Sequence, residues 1–365
     1  MTAPPEQAPL SSAVLVGREE LMGLTSDCFT SLGIGAEDAE AVADVLVAAN
    51  LHGVPSHGFQ RIPIFMKRVH AGLSGGTERM RVVAESGALC RMDAAFALGP
   101  AASVKALDRS LALAGEHGIG LVAVGRSTHF GAAGYYARRA AREGFVGVVI
   151  SNAFKRMAPY GAAEVFLGTN PLAVGIPLAE HDPFVLDMAT SIAAQGRITR
   201  ARQLGEPIPA GQAIDPDGRP TTDAAQALAG SLLPVGGPKG SGLALAISLL
   251  SVLLAHADPD DQMGSLYRSF ERPQNSGHVF IAIDGDRLGP GAASLDEVIE
   301  RLIGLRPIEA AGAVEYPGQA GARLARARAR DGIPIEAAEL ADLIKTCRGF
   351  GLEELARRVA ALSGP

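Results

Sequence analysis

Residues 123–196 constrain this chain more than any other stretch. Short apolar runs alternate there with compact polar and glycine clusters: Ser127-Thr128-His129-Phe130-Gly131, Ser151-Asn152, Gly168-Thr169-Asn170-Pro171 and Asp187-Met188-Ala189-Thr190-Ser191. Short apolar runs bounded by such clusters read as buried strands. Strands that end in polar tips are how enzymes hold reactive groups, because the tips reach solvent while the strands fix their position. The stretch predicts an enzyme core.

On either side the periodicity is helical. Leu21, Leu24, Cys28, Phe29 and Leu32 recur at helical spacing and predict a helix over 18–32, with a second over 36–51. A third is predicted over 59–72, which puts Ser56-His57-Gly58-Phe59-Gln60-Arg61 at a helix N-terminus, where free amides would make an anion site. A hairpin over 82–92, helices over 99–117 and 131–143, and strands over 120–124 and 145–150 come next. Strands over 171–176 and 184–186 and a helix over 191–203 follow, then a loop over 205–219. A long apolar helix over 243–256, a core strand over 277–283 and helices over 295–305, 320–330, 336–347 and 352–362 complete the chain.

At 365 residues the chain is long enough for a large core in two lobes. Its 44 glycines, alanine-rich helices and lack of tryptophan predict close packing of elements. The net charge of −6 argues against a nucleic-acid partner, which needs a basic patch. The 3 cysteines, Cys28, Cys90 and Cys347, are scattered, with no CxxC pair. Neither a disulfide framework nor a cysteine zinc site is predicted, and a reducing compartment, the cytoplasm, is expected. Residues 1–14 lack a signal peptide's basic start and apolar stretch and read as a disordered tail. The longest apolar run, 243–257, is too short and polar-flanked to span a bilayer, so no membrane partner is expected.

No G-x-G-x-x-G follows a strand and opens a helix, and Gly-Pro-Lys-Gly-Ser-Gly over 237–242 lacks the Gly-Lys-Ser/Thr of a P-loop. A conventional dinucleotide fold is therefore disfavoured. Lys239, with glycines behind it at a helix start, offers charge and amides to a phosphate; the alternative is a glycine-rich helix entry with a solvated lysine. His57 beside Ser56, with Arg61 one turn on, offers a proton carrier next to a carboxylate clamp. The alternative is Ser56 as a helix cap and His57 as a surface residue. Thr128 or His129 equally reads as a cap for the helix over 131–143. His52 and His70 read as structural, and His278 as either a cleft residue or a satisfied core histidine. Asp187 could orient a histidine or cap the next helix. A serine hydrolase lacks its Gly-x-Ser-x-Gly elbow, and the spacing of His57, His129 and Asp187 is too irregular to predict a metal site. The arginines over 323–330 read as a solvated helix face.

Taken in order, Ser56-His57-Gly58 with Arg61, Ser127, the run from His129 to Ala137, Ser151-Asn152, Pro159-Tyr160-Gly161, the run from Gly168 to Ala173, the run from Asp187 to Ser191, Lys239-Gly240 with Gly242, Gly277-His278 and Tyr316-Pro317-Gly318 resemble the malate/L-lactate dehydrogenase family, which lacks a Rossmann fold. The likeness covers about 14–332. Three departures accompany it: Ala162-Ala163 after Gly161, Gln319 after Gly318, and Glu315 at a position that is often basic. The resemblance implies an α+β fold like that of L-sulfolactate dehydrogenase, with a largely antiparallel central sheet and surrounding helices, and a homodimer. It implies NAD- or NADP-dependent interconversion of a small 2-hydroxy acid and its 2-keto acid. A ketimine (cyclic imino acid) reductase on the same scaffold is the alternative, and a nucleotide-binding protein without catalysis a remote one. Catalysis is expected of His57 with Ser56 and Asp187, or of His129. Substrate binding is expected of Arg61, Thr169 and Asn170. Cofactor contacts are expected of His129, Phe130, Gly131, Ala132, Ala133, Lys155, Ala189, Thr190, Ser191, Lys239, Pro317 and Gly318. A helical lobe over 15–80 and 300–365, bearing the catalytic histidine and dimer contacts, is expected beside a nucleotide-binding core over 81–299.

Overall fold

The computed structural model describes residues 13–289, 292–308 and 312–362. Strand β1 (Ala13–Val16) leads into α1 (Arg18–Thr30) and α2 (Ala36–Leu51); two 3-10 turns, Pro55–His57 and Phe59–Arg61, lead into α3 (Ile62–His70). The hairpin β2 (Arg81–Ser86) and β3 (Leu89–Asp93) precedes α4 (Gly99–His117), β4 (Ile119–Ser127), α5 (Ala133–Arg142), β5 (Val146–Ser151), β6 (Leu172–Ile176) and β7 (Phe184–Met188). Next come α6 (Gln195–Leu204), β8 (Ala213–Ile214), β9 (Pro220–Thr221), α7 (Ala224–Ala229), β10 (Ser231–Leu232), α8 (Pro238–Ala255) and β11 (Ser276–Ile283). The chain closes with α9 (Ala292–Ile303), α10 (Gln319–Asp331), β12 (Ile333–Glu336), α11 (Ala337–Gly349) and α12 (Glu353–Ala361).

Seven strands form the central sheet in the order β2-β3-β4-β11-β5-β6-β7. Only β3 and β4 run parallel; every other neighbouring pair is antiparallel. This is the expected α+β architecture. One face carries α4 and α5. Glycines let α5 sit directly on the strands: a Cβ on Gly147 would come within 2.6 Å of the Ala140 side chain, and one on Gly175 within 2.0 Å of the Ala137 carbonyl. The glycine- and alanine-rich composition is thus spent on helix–sheet contact. The other face carries α8, whose Ile247 joins Ala123, Ile150 and Val279 in a small core. A separate core gathers Phe29, Leu46, Phe59 and Met66 with Ile333, Leu343 and Val359, from both ends of the chain.

Several expectations need correction. The predicted tail, 1–14, lies outside the described residues except Ala13 and Val14, which pair with Glu336 and Ile335 as β1 meets β12. The helix predicted from 59 starts at Ile62, because Asn50 at the end of α2 accepts the Phe59 amide at 2.6 Å and turns the chain through two short 3-10 segments. The amides of His57, Gly58 and Arg61 are likewise occupied, by Val54, Pro55 and Gly58 carbonyls, so no amide-lined anion site forms there. Helix α8 begins at Pro238, which puts Lys239 in its first turn and gives 18 residues of mean hydropathy 1.6. By length and composition it could cross a bilayer, contrary to the shorter run read from sequence. It packs instead on the sheet, and its Ser248 hydroxyl donates to the buried Asp260 at 2.7 Å.

Candidate active site

Ser56 and His57 occupy the first 3-10 turn, where the Ser56 Oγ lies 3.0 Å from His57 Nδ1. His129 follows β4, and its ring stacks on His57 with centroids 5.6 Å apart and an interplanar angle of 28°. Phe65 of α3, itself buried, flanks His129 at 5.7 Å. Arg61 completes the group, its guanidinium lying 5.5 Å from the centre of the Tyr267 ring. Tertiary contact thus joins the 3-10 turn, β4, α3 and the segment before β11 around two imidazoles.

The electrostatics follow from burial around one fixed charge. Burial first, then Arg61, lowers the His57 pKa from 6.5 to about 3. Burial, Arg61, His57 and His278 push His129 well below its ordinary value. Both residues nonetheless keep partial solvent exposure. Arg61 pairs with no carboxylate among the described residues, and its buried Nε has no hydrogen-bond partner. Burial lowers its pKa to about 10. An unpaired guanidinium beside two neutral imidazoles is a receptor for an anion.

Neither reading of Thr128 or His129 as a cap for α5 holds. The Thr128 hydroxyl accepts the Gly99 amide at the start of α4, and His129 Nδ1 accepts the Gly131 amide at 3.2 Å. Helix α5 starts at Ala133 without a side-chain cap. Among the described residues the Ala132 and Ala133 amides have no partner, although both residues are buried. Positive helix-end amides without a partner fit the phosphates of a dinucleotide. The next amide, Gly134, donates to Asp187 Oδ2 at 2.9 Å. Asp187 is open to solvent by surface area, yet burial raises its pKa above the ordinary value, opposed by the Gly134 amide and Arg138. Among the described residues no hydrogen bond or ion pair joins Asp187 to either histidine. The expected Ser56–His57–Asp187 relay is therefore present only in its first link, because the Asp187 carboxylate is turned to the start of α5.

Other expected residues belong to the framework. Asn170 is fully buried; its Oδ1 accepts the Ala153 amide, and its Nδ2 donates to Ala244 O and Asp260 Oδ2. Both ends of its carboxamide are engaged within the fold. Thr169 offers its carbonyl to the Thr190 amide and hydroxyl, and the Ser191 hydroxyl donates to Ala193 O. Both hydroxyl protons are thus used within the turn that carries Ala189 between β7 and Thr190. The Pro317 carbonyl accepts the Val185 amide, bringing Pro317-Gly318 against β7. Lys155 and Lys239 are exposed and make no contact with the histidines among the described residues. Glu315 pairs with Arg323. Asp260, which sequence reading missed, accepts from the Gly168 amide, Asn170, Ser248 and Asn152. Tyr267 and Phe65 were missed too. No local signal marks these, since their roles arise from contacts distant in sequence.

A sequence profile of the malate/L-lactate dehydrogenase family matches residues 16–344. The chain is 35% identical over 335 residues to the L-sulfolactate dehydrogenase of Methanocaldococcus jannaschii, covering 90% of this chain and 95% of that protein. The solved structure of sulfolactate dehydrogenase from that organism superposes with a TM-score of 0.86 over 93% of this chain and 98% of its own. Identity is 36% over 277 residues to a (2R)-3-sulfolactate dehydrogenase (NADP(+)) of Chromohalobacter salexigens, covering 76% of this chain and 83% of that protein. It is 31% over 323 residues to the ureidoglycolate dehydrogenase (NAD(+)) of Escherichia coli K12, covering 88% and 92%. With the profile spanning most of its length and relatives more than 30% identical over most of theirs, the chain belongs to the malate/L-lactate dehydrogenase family.

Proposed function

We propose that the protein is an NAD- or NADP-dependent oxidoreductase interconverting a small 2-hydroxy acid and its 2-keto acid. The observation that carries this reading is the unpaired Arg61 guanidinium beside the stacked His57 and His129 rings. The nicotinamide supplies or accepts the hydride when bound. The uncapped α5 entry at Ala132 and Ala133 would hold the pyrophosphate. Arg61 holds the substrate carboxylate and, once neutralised by it, no longer opposes protonation of the imidazoles.

The two histidines differ in what they can do. A backbone amide is an obligatory donor, so Gly131 requires His129 Nδ1 to accept, and neutral His129 then carries its proton on Nε2. His129 is therefore a donor towards a substrate oxygen. Ser56 has a hydroxyl, which accepts as readily as it donates, so His57 can keep its proton on Nδ1 and leave Nε2 free. His57 is the proton carrier: it takes the hydroxyl proton in oxidation and returns it in reduction.

The reading extends to a homodimer. Leu245, Leu249 and Leu253 form an exposed apolar stripe along α8, with no charged residue from 240 to 255. A charge-free stripe can meet its own copy across a two-fold axis without repulsion. A reducing compartment, the cytoplasm, is in keeping with three free, buried cysteines.

The test is to mix the protein with NADH or NADPH and a panel of 2-keto acids and cyclic imino acids, following nicotinamide absorbance. Turnover of a 2-keto acid is the expected result. Turnover of imino acids alone would move the assignment to the ketimine reductase, nucleotide binding without turnover to a binding protein, and no binding of either nucleotide would end the reading.

A further inference from the structure

We infer that His278 is a positioning residue for His129, gripping the main chain on both sides of it. This deepens the proposed function and rests on it. His278 lies near the start of the central strand β11, opposite Val124 of β4 and Ser151 of β5, and is fully buried. A register irregularity between Ser276 and His278 accompanies its position against β4. Its ring stacks on Phe130 with centroids 4.4 Å apart and planes 4° apart. Its Nε2 lies 3.1 Å from Thr128 O and 3.0 Å from Ser127 Oγ. Thr128 precedes His129 and Phe130 follows it, so one ring holds both neighbours.

The hydrogen bonds fix the tautomer. A carbonyl only accepts, so Nε2 carries the proton and gives it towards Thr128. Nδ1 then accepts from the Ser151 hydroxyl at 2.8 Å, although that hydroxyl also lies 2.9 Å from Asn152 O. Burial lowers the pKa of the ring to about 4, which keeps it neutral and holds this pattern at neutral pH. The β4 exit needs such support. Arg126 sits at φ +49°, a conformation that L residues rarely adopt, and its amide is tied to Asn275 Oδ1 at 2.8 Å. Asn275, just before β11, and His278 within it together hold the turn that presents His129. The imidazole of His129 faces His57 and Arg61 from the 3-10 turns, Phe65 from α3 and His278 from β11. It depends on that turn for its aim, because its Nδ1–Gly131 bond forms only while residues 128–131 keep their path.

The test uses full-length His278→Gln, which keeps a donor near Thr128 O but loses the stack, and Ser151→Ala, which removes the donor at Nδ1. The 15N signals of the histidine rings are followed through a pH titration alongside kcat and KM. In the wild type, His129 should show one neutral tautomer protonated at Nε2. In the variants the His129 signals should shift towards mixed tautomers and a higher ring pKa. The kcat should fall about 10- to 100-fold, the usual penalty for a misaimed catalytic group. The KM for a 2-keto acid should change far less, since Arg61 stands on another element. A variant that loses thermal stability while the His129 signals and kcat stay unchanged overturns the inference, because His278 is then only a core residue. If the wild type turns over no 2-keto acid, the proposed function fails, yet a shift of the His129 signals in either variant still supports the positioning role. If His278→Gln does not fold, Ser151→Ala decides.

Discussion

Arg61 and the two imidazoles beside it set the chemistry at the scale of single residues. A guanidinium with a buried, unpartnered Nε is unfavourable until an anion arrives. Arg61→Ala should therefore raise the KM for a carboxylate substrate about 10- to 100-fold, from the usual strength of charge-assisted hydrogen bonds. It should also raise the ring pKa values of His57 and His129, because it removes a positive charge that lowers both; an unchanged KM with unmoved ring signals would reject the clamp. The division of labour between the histidines has its own check. His57→Gln should lose about 100-fold or more in kcat, the usual worth of a proton carrier. His129→Gln should keep more activity than His129→Ala, since an amide N–H can replace the Nε2 donor. Equal losses in those two variants would contradict the assignment. Residue type and local spacing singled out Ser56, His57 and Arg61, because they advertise acid–base and carboxylate chemistry, and the family resemblance added His129. The sequence could not reach the Arg61–Tyr267 contact or the four donors on Asp260, which exist only after the chain has folded. It also offered Asn170 to the substrate, and only the folded chain reveals that both ends of that amide are already engaged.

Buried neutral histidine also makes stability depend on pH. His278 is fully buried, with a folded pKa of about 4 against an ordinary 6.5. A lowered folded value means that the unfolded chain binds the proton more readily. The contribution is flat above 6.5, falls as the pH drops from 6.5 to 4 at about 1.4 kcal/mol per pH unit, and is flat again below. Urea unfolding at pH 7.5 and pH 5 (working values chosen to be about one unit or more either side of the ordinary histidine pKa) should show the loss, and His278→Gln should make it smaller. The same slope in that variant and in the wild type would assign the effect to other groups.

At the scale of elements, α5 is placed by what its neighbours lack. With Gly147 and Gly175 beneath Ala137 and Ala140, the helix lies close enough to the sheet for Gly134 to meet Asp187 at the end of β7. Adding a methyl at Gly147 would push a Cβ to 2.6 Å from the Ala140 side chain. Gly147→Ala should destabilise the protein by about 1–3 kcal/mol, the range for overpacking. It should also weaken NADH or NADPH binding, because the free Ala132 and Ala133 amides move with the helix. Wild-type stability and affinity in this variant would mean that α5 has slack against the strands. The element pattern was largely legible: helix α4 and the strands of the central sheet follow runs whose periodicity is local. The β1–β12 pair was not, since each strand is 4 residues long and its partner lies at the other end of the chain. The start of α3 was misplaced for a similar reason, since the Asn50 side chain that diverts the chain belongs to a different helix.

The whole molecule leaves one face of its sheet unevenly covered. Helix α8 lies across that face, burying Ala244, Ile247, Ser248 and Ser251, yet Leu249 is 59% and Leu253 71% exposed on its outer side. These leucines recur every four residues with Leu245, so they form a continuous apolar ridge suited to covering by a partner surface. Two copies related by a two-fold axis would cross their α8 ridges and cover both at once. Sedimentation of the wild type at micromolar concentration should give twice the chain mass. The double variant Leu249→Glu, Leu253→Glu sets like charges against each other across the axis and should sediment as a single chain, with its far-ultraviolet circular dichroism retained because neither side chain packs inward. A wild-type monomer would remove the dimer from the proposal, and a double variant that stays dimeric would move the interface elsewhere on the surface. Either result leaves the crevice chemistry standing, since His57, His129 and Arg61 meet within one chain.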